Sequence, residues 1–275
     1  MADCEPIAHQ FMHLTVPEYA YMFGFLQADG HLAQGPGQKG RLTVEISARD
    51  IEILHEFRRL TPYYSSVIER TRSTNFAKTH TSAIWTLCAL AARTRLNELG
   101  LPYGSKSKGI TPPCVPFSSR DYVRGLIDAD GSVGFTAQGW PFISLTTASE
   151  AIYLYFRFYA QHATGVQRTL KRNARDGIYN ILYTKESAQK LAAQLYYSKC
   201  LSMKRKQAAA DSLASWSRPV GIQRKPGRIE WTQEKDEILL AAPTIAHAAV
   251  KLGHTANACQ ARRWRLLHDV ADRPN

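Results

Sequence analysis

Two aspartates stand at the same place in a pattern that occurs twice in the chain. The pattern is Tyr-x-x-Gly-apolar-apolar-x-Ala-Asp-Gly, and its two copies cover residues 21–30 and 122–131. The aspartates are Asp29 and Asp130, so the copies are offset by 101 residues (29 to 130). This offset is too long for a solenoid repeat and fits a duplicated small domain.

Two carboxylates held side by side at the C-terminal ends of helices have a specific chemistry. They repel one another, and each faces the negative end of a helix dipole. A shared divalent cation relieves both penalties, and hard oxygen ligands with few neighbours suit Mg²⁺. Such a cation lowers the pKa of a bound water and stabilises a leaving oxygen, as phosphodiester hydrolysis requires. The alternative is that each Asp-Gly pair is an ordinary helix C-terminal turn, where left-handed backbone is tolerated.

The elements around the aspartates are predicted to bring them together. Gly24 with Ala28, and Gly125 with Ala129, put small residues on one helix face, which lets two helices approach closely. After each copy, the apolar patterns predict two strands, a helix, two more strands and a closing helix. The predicted architecture is therefore α+β, with two αββαββα halves related by a pseudo-twofold axis.

Capping and turn residues set several of the expected boundaries. Asp50 and Ser149 are predicted to be the N-caps of the first long helix after each pair of strands. In the second half, the last two strands are predicted over residues 166–172 and 178–183. Asp176-Gly177, between them, is a two-residue hairpin signal.

The second copy of the pattern resembles a known motif. Residues 125–131 read Gly-Leu-Ile-Asp-Ala-Asp-Gly, which resembles, without a gap, the LAGLIDADG motif of homing endonucleases. Residues 22–30 are a looser copy, with Gln27 where the motif usually has its first aspartate. The resemblance covers roughly residues 15–206. Two copies in one chain are similar to the monomeric branch of this family.

The resemblance implies a fold and a site. It implies that the two halves form a DNA-binding saddle, and it places the acid at the eighth motif position, which is Asp29 in one copy and Asp130 in the other. Ala28 and Ala129, next to these acids, are assigned to the same metal site. The expected cofactor is Mg²⁺ or Mn²⁺, and the family suggests that Ca²⁺ supports binding without cleavage.

Basic residues near each acid are the next expectation that the resemblance brings. Lys106 and Lys108 follow Asp29 by 77 and 79 residues, and Lys204 and Lys206 follow Asp130 by 74 and 76. We assign Lys106 and Lys204 to catalysis, and Lys108 and Lys206 to DNA binding. The alternative for all four lysines is plain phosphate contact or a solvated run of charge.

A two-stranded ribbon can enter the major groove of DNA, which makes the exposed strand faces candidate contacts. Each of these residues has the alternative of being an ordinary exposed strand residue. The partner expected from the resemblance is double-stranded DNA with a long, partly asymmetric target. The candidate strand contacts are Arg70, Arg72, Thr169, Lys171 and Arg172.

Composition favours the same class of partner. The chain has 35 Lys and Arg against 23 Asp and Glu, a net charge of +12 and a pI near 9.6. This balance favours nucleic acid first and an anionic membrane surface second. No apolar run is long enough to cross a membrane, and the first residues do not resemble a secretory signal. Five scattered cysteines without a C-x-x-C pair favour a reducing, intracellular compartment.

The predicted boundaries divide the chain into two halves, a linker and a C-terminal module. They fall at residues 1–110, 111–215, 216–228 and 229–275. The linker is basic and contains proline and glycine, which predicts flexibility.

The C-terminal module is predicted to contain three short helices and resembles a Myb-like helix-turn-helix. Its third helix carries Arg262, Arg263 and Arg265, which are suited to a DNA groove. The alternative is a plain helical bundle with Trp231 and Trp264 in its core, and both interpretations can hold at once.

These observations favour a monomeric, free-standing, site-specific endonuclease that cuts both strands of DNA, because no splicing signature of an intein is present. Two alternatives stay open. One is a DNA-binding regulator that has lost cleavage, against which the presence of both acids argues. The other is a maturase whose partner is intron RNA, since the same basic saddle serves both tasks.

Overall fold

The computed structural model describes residues 7–72, 80–168, 172–173, 175–219 and 231–268. The chain divides into two compact units, Met1–Ser217 and Arg218–Asn275. Two of the candidate DNA contacts, Thr169 and Lys171, lie outside the described residues.

The first half of the larger unit has the predicted order of elements. Its four strands form one antiparallel sheet with the order β1-β2-β4-β3. A 3₁₀ turn, Ala48–Asp50, precedes the second helix. The elements are α1 (Pro17–Asp29), β1 (His31–Ala33), β2 (Arg41–Ser47), α2 (Glu52–Leu60), β3 (Ser65–Arg72), β4 (His80–Leu87) and α3 (Leu90–Glu98).

The second half repeats this order with two differences, in its third strand and in its closing helices. Among the described residues, its sheet has three antiparallel strands in the order β5-β6-β7. The strand predicted over residues 166–172 is not a strand at 166–168 or at 172, and residues 169–171 lie outside the described part. An added helix closes the half. The elements are α4 (Ser119–Asp130), β5 (Gly131–Phe135), β6 (Pro141–Thr147), α5 (Glu150–Thr164), β7 (Tyr179–Thr184), α6 (Glu186–Leu195) and α7 (Lys204–Leu213).

One apolar core runs through both halves. Helix α1 is buried on every face between Tyr19 and Gln27, as expected for a helix that is apolar all round. Strand β6 alternates between buried and half-buried residues, which is the period of a strand with one face on the core. The predicted α+β fold with two related halves is therefore confirmed.

The two predicted N-caps had different outcomes. The Ser149 hydroxyl accepts a hydrogen bond from the Ile152 amide (3.2 Å), so this cap is confirmed. Asp50 does not cap α2, and that prediction was wrong. The 3₁₀ turn places Ile51 at the N-cap, and the Asp50 carboxylate instead accepts two bonds from Arg205 Nε, at 3.0 and 2.9 Å.

The C-terminal unit contains the three short helices that were predicted, α8 (Gln233–Ala241), α9 (Ile245–Leu252) and α10 (Ala256–His268). Threonine hydroxyls cap all three helices, accepting from amides three residues further on. Its small core contains Leu239, Ala248 and Cys259. Trp264 is 60% exposed, so the expectation of a core tryptophan was wrong there, whereas Trp231 stacks on His254 with centroids 4.0 Å apart.

None of the helices in the described ranges combines the length and the apolar character needed to cross a bilayer.

Candidate active site at two paired helix ends

Helices α1 and α4 touch through their backbones. A Cβ atom on Gly125 would lie 2.1 Å from the carbonyl oxygen of Tyr21, and one on Gly24 would lie 2.3 Å from that of Tyr122. Both distances are far inside van der Waals contact, so neither position accepts a side chain without separating the helices. The small residues identified in the sequence therefore set the distance between the two helices.

The two candidate acids are the last residues of these helices. Asp29 ends α1 and Asp130 ends α4, and both side chains reach solvent. Partial burial raises the pKa of Asp130 to about 6, and the negative charge of Asp29 adds to that rise. Burial also raises the pKa of Asp29, against the lowering effect of Lys106 and Lys206. The protein therefore holds two carboxylates close enough for each additional negative charge to be unfavourable.

The glycines that follow the acids are not in left-handed backbone. Gly30 has φ −71° and Gly131 has φ −103°, so the alternative of a left-handed turn was wrong. They are instead positions of close approach, because a Cβ on Gly131 would lie 2.6 Å from the carbonyl oxygen of Ser144. From each glycine the chain continues in extended form directly into a strand.

At the C-terminal end of each motif helix, the ammonium group of a lysine binds backbone carbonyl oxygens. Lys206 is buried, and its Nζ donates to the carbonyl oxygens of Ile127 (2.7 Å), Asp128 (2.6 Å) and Gly131 (2.8 Å). Lys106 is half-buried, and its Nζ donates to the carbonyl oxygens of Gln27 (2.6 Å) and Ala28. A cation at this place complements the negative end of the helix dipole.

Burial lowers the pKa of both lysines. That of Lys206 falls to about 8, because the loss of hydration outweighs the attraction of Asp128 and the other nearby carboxylates. The pKa of Lys106 is lowered by the same cause, against Asp130 and Asp29. Both ammonium groups stand in the electrostatic field of the candidate acids.

The structure places Lys204 and Lys206 in different environments. Lys204, assigned to catalysis from the sequence, is exposed and lies 2.5 Å from Glu52. Lys206, assigned to DNA binding, is the residue whose ammonium group lies at the end of α4. The two lysines are two positions apart on α7, so they point to different faces of that helix. Lys108, which was assigned to DNA binding in the first half, is exposed.

The donor set at the helix ends fits a divalent cation. Two adjacent carboxylates with raised pKa values are stabilised by a positive ion. In the part of the chain that the structure describes, no group of three or more His, Cys, Asp or Glu residues could hold a metal. The remaining ligands of such an ion would be water or phosphate oxygens, which Mg²⁺ accepts readily. The carbonyl of Ala28 already accepts from Lys106, whereas Ala129 is half-buried beside Asp130.

The candidate strand contacts are exposed. Arg70 and Arg72 are on β3, and Arg72 also donates to Glu45 on β2 (2.9 Å). Arg172 is exposed and donates to the carbonyl of Gly177 (2.6 Å) at the predicted turn.

In the C-terminal unit, two of the candidate arginines have internal partners: Arg265 Nε donates to the Ala261 carbonyl within α10 (3.2 Å), and Arg262 is bound to an acid. Arg262 Nε donates to Asp236 Oδ1 (2.8 Å), which ties α10 to α8. Arg263 is half-buried and Arg265 is exposed. Two exposed polar residues, Asn257 and Gln260, were not predicted from the sequence to take part in DNA binding. They line one surface of α10 together with Arg265, and the helical period of three and four was the signal that would have grouped them.

Four polar residues of the repeated pattern had no role predicted from the sequence. Tyr21 and Tyr122 are equivalent residues of the two copies, as are Gln27 and Asp128. All four side chains are buried. The signal was the recurrence of tyrosine at the first position of both copies, which an apolar core does not by itself require.

Comparison with known proteins gives one family match. Residues 118–196 match the LAGLIDADG-like domain family. The chain is similar to the structure of the homing endonuclease I-WcaI bound to its DNA recognition sequence (12% identity, TM-score 0.50), over 73% of this chain and 89% of that one. No curated protein sequence matches.

Two further structures have lower scores. The chain is similar to I-SmaMI bound to uncleaved DNA target in the presence of calcium ions, with 10% identity and a TM-score of 0.44, over 64% of this chain and 84% of that one. It is also similar to full-length DUF199/WhiA from Thermatoga maritima, with 8% identity and a TM-score of 0.42, over 98% and 97%. The family match and the likeness to I-WcaI together support the LAGLIDADG fold.

Proposed function

We propose that this chain is a metal-dependent, site-specific endonuclease that cuts both strands of DNA. One observation carries the proposal: two glycine-paired helices end on Asp29 and Asp130, with a buried or half-buried lysine at each end. Purely structural acids at helix C-termini would be unfavourable twice over, through the helix dipole and through mutual repulsion. A site that binds a cation and then a phosphodiester explains why both are present.

The roles of the residues follow from their chemistry. Asp29 and Asp130 would hold Mg²⁺ or Mn²⁺, which supplies a water of lowered pKa and neutralises charge on the leaving oxygen. The ammonium groups of Lys106 and Lys206 lie beside this place and stabilise the negative charge that develops on phosphate. With a pKa of about 8, Lys206 stays largely protonated at neutral pH, which suits this role better than that of a base. The proposal thus moves the second catalytic lysine from Lys204 to Lys206.

DNA would be held by the sheets and by overall charge. The net charge of +12 supplies affinity that depends on salt and not on sequence. Arg70 is exposed on β3, where it is free to reach a phosphate or a base edge, while Arg72 would have to leave Glu45 to do so. Two sheets in one chain suit a long, partly asymmetric target and a monomeric enzyme.

The C-terminal unit is proposed to be a helix-turn-helix module that anchors the enzyme on flanking DNA. The exposed face of α10 carries Asn257, Gln260 and Arg265, side chains that pair with adenine and guanine in the major groove. Arg262 is left out of this set because it holds Asp236. Deletion of residues 217–275 is expected to weaken DNA binding and to leave metal-dependent cleavage in place.

A cleavage assay tests the proposal. The substrate is a supercoiled plasmid that carries the two genomic sequences on either side of the gene for this protein. In the plasmid these two sequences are joined directly, without the gene between them. Wild type with Mg²⁺ is expected to give a linear product, and with Ca²⁺ only a bound complex. Asp29→Asn and Asp130→Asn are expected to bind and not to cut. Asp211→Asn, an exposed acid on α7, is the matched control and should cut normally.

Two results would redirect the proposal. Tight, salt-sensitive binding of wild type without any cleavage would favour a regulator that binds DNA only. A shift of intron RNA in a gel, stronger than that of the duplex, would favour the maturase.

A further inference from the structure

A polar side chain two residues before each acid is buried inside the protein. These residues are Gln27 and Asp128, with exposed fractions of 0% and 1%. They occupy the same position of the two motif copies and differ in chemistry, since one is a neutral amide and the other a carboxylate. A buried polar group is tolerated only when its hydrogen bonds are satisfied, so their partners indicate what they do.

Gln27 joins both ends of the segment that carries Lys106. Its Nε2 donates to the carbonyl oxygen of Gly100 (3.1 Å), just after α3, and to that of Thr111 (3.0 Å). Lys106 lies between these two residues in the chain. One amide group therefore closes a loop whose lysine points back at the end of α1.

Asp128 does the same for the segment before Lys206. Its Oδ1 accepts from the Tyr196 hydroxyl (2.7 Å), and its Oδ2 accepts from the Met203 amide (2.7 Å). Tyr196 follows the last residue of α6, and Met203 is the N-cap of α7. Lys206 is in the first turn of α7, so the position of that turn sets the position of its ammonium group.

The opposite motif helix supplies the remaining contact in each case. The Tyr122 hydroxyl donates to Gln27 Oε1 (2.5 Å), and the Tyr21 hydroxyl donates to Asp128 Oδ2 (2.7 Å). Each motif helix thus holds the inner side chain of the other.

The type of each residue matches what it must bind. An amide donates through its nitrogen and accepts through its oxygen, which fits two carbonyls and one hydroxyl around Gln27. A carboxylate only accepts, which fits two hydroxyls and one backbone amide around Asp128. The two residues are therefore not interchangeable, although the motif treats them as one position.

We propose that Gln27 and Asp128 are paired positioning residues, each of which fixes one lysine of the active site independently of the other. The inference rests on the proposed function for its catalytic meaning, and on the contacts above for its geometry. The contacts of Gln27 and those of Asp128 share no residue, so the two lysines are held by separate sets of bonds. The difference between glutamine and aspartate at this position then matches each half to the segment that carries its own lysine.

Lysine reactivity tests this without DNA or metal. The full chain is treated with a limiting amount of acetic anhydride, and the acetylation rate of each lysine is measured by mass spectrometry. Each rate in a variant is compared with the rate of the same lysine in wild type, and the exposed Lys108 and Lys204 serve as internal controls.

Gln27→Glu is the main variant. It has nearly the same shape but turns a carboxylate oxygen toward the carbonyls of Gly100 and Thr111, where a donor is needed. Loss of two hydrogen bonds is expected to raise the acetylation rate of Lys106 by about tenfold and to leave that of Lys206 unchanged.

Changes at Asp128 provide the reciprocal arm. Asp128→Leu, which removes all acceptors, is expected to raise the rate of Lys206 and to leave that of Lys106 unchanged. Asp128→Asn is the conservative variant. Its amide can accept from Met203 and donate to Tyr196, so the acetylation rate of Lys206 is expected to stay at its wild-type value. If Asp128→Leu does not fold by circular dichroism, the Gln27→Glu arm decides the question.

The pattern of rates separates positioning from general support of the fold. Equal acceleration of Lys106 and Lys206 in Gln27→Glu would show a loosened core and overturn the proposal, as would no acceleration of either. On the cleavage substrate, Gln27→Glu is expected to cut one strand and leave a nicked circle, with DNA affinity unchanged. If wild type does not cut at all while the lysine pattern holds, the proposed function fails and the positioning remains.

Discussion

The two halves of the larger unit reach the same arrangement at the helix ends with different supports. In the first half, Lys106 comes from a loop, is half-buried and donates to two carbonyls. In the second half, Lys206 comes from the first turn of a helix, is buried and donates to three. Within the part of the chain that the structure describes, the sheets differ as well, with four strands against three. What the halves share is the motif helix, its glycine, its terminal acid and a lysine at its end.

This comparison indicates which features the site requires. Here the supports differ while the acid and the lysine recur. Under the proposed function, this charge arrangement at the helix ends is what both halves need, and the following predictions test or refine the comparison.

The largest expected effect is the loss of cleavage on removal of either acid. Asp29→Asn and Asp130→Asn should each lower the cleavage rate by about 10³-fold or more, because a metal ion contributes several kcal/mol to the transition state. DNA affinity should change little. Plasmid cleavage and gel shift measured in parallel check both statements. If one variant cuts as well as wild type, the halves do not contribute equivalent acids.

The next effect concerns the contact between the motif helices. Gly24→Ala and Gly125→Ala each place a Cβ within 2.3 Å of a backbone carbonyl oxygen of the facing helix. Each should lower the free energy of unfolding by about 3 kcal/mol, the upper range for overpacking. Urea denaturation measures this, with Gly109→Ala as control, because its Cβ would meet no atom closer than 4.0 Å. A loss in only one half would mean that the helices are not symmetric in their contact.

The features that sequence predicted well are those set by local patterns. The motif helices, the strands of the first half and the caps of the C-terminal helices follow from periodicity, glycine spacing and hydroxyl residues before helices. Side-chain partners from distant parts of the chain were not accessible in this way. Asp50 looks like a cap in sequence, and only the fold shows that Arg205 is its partner.

The proposed change of the catalytic lysine from Lys204 to Lys206 has the same origin. Both lysines lie in one basic run, and nothing local distinguishes them. The register of α7 decides which of them is buried, and that register is set at Met203, whose amide binds the distant Asp128. In the same way, the sequence grouped Arg262 with Arg263 and Arg265, whereas in the fold Arg262 donates to Asp236.

This change of the catalytic lysine gives the third prediction. Lys206→Met should lower the cleavage rate by about 10²-fold, as loss of one positioned donor does in other enzymes. Lys204→Met should change it little, because its ammonium group is exposed beside Glu52. Cleavage rates at saturating protein distinguish the two. The opposite order would restore the assignment made from the sequence.

The smallest effect is on stability without metal. The folded-state pKa of Asp130 is about 6, which is above its ordinary value. Ionisation of Asp130 therefore lowers the free energy of unfolding as pH rises from about 4 to above 6. Asp130→Asn should therefore raise the Tm of the metal-free protein by about 2 °C at pH 7.5 and by less at pH 4.5. Calorimetry at both pH values checks this. A gain that does not depend on pH would mean that repulsion is not its cause.

Binding of Mn²⁺ alone tests the central claim most directly, because it requires neither a known target nor cleavage. Free Mn²⁺ is measured by electron paramagnetic resonance as the ion is titrated into the full chain at pH 7.5. We predict a site in wild type that weakens about tenfold or more in Asp29→Asn, in Asp130→Asn, and in wild type at pH 5, where protons compete for the carboxylates. Asp211→Asn should bind like wild type. Binding that survives the loss of either acid, or no binding by wild type, would contradict a metal shared between the two helix ends.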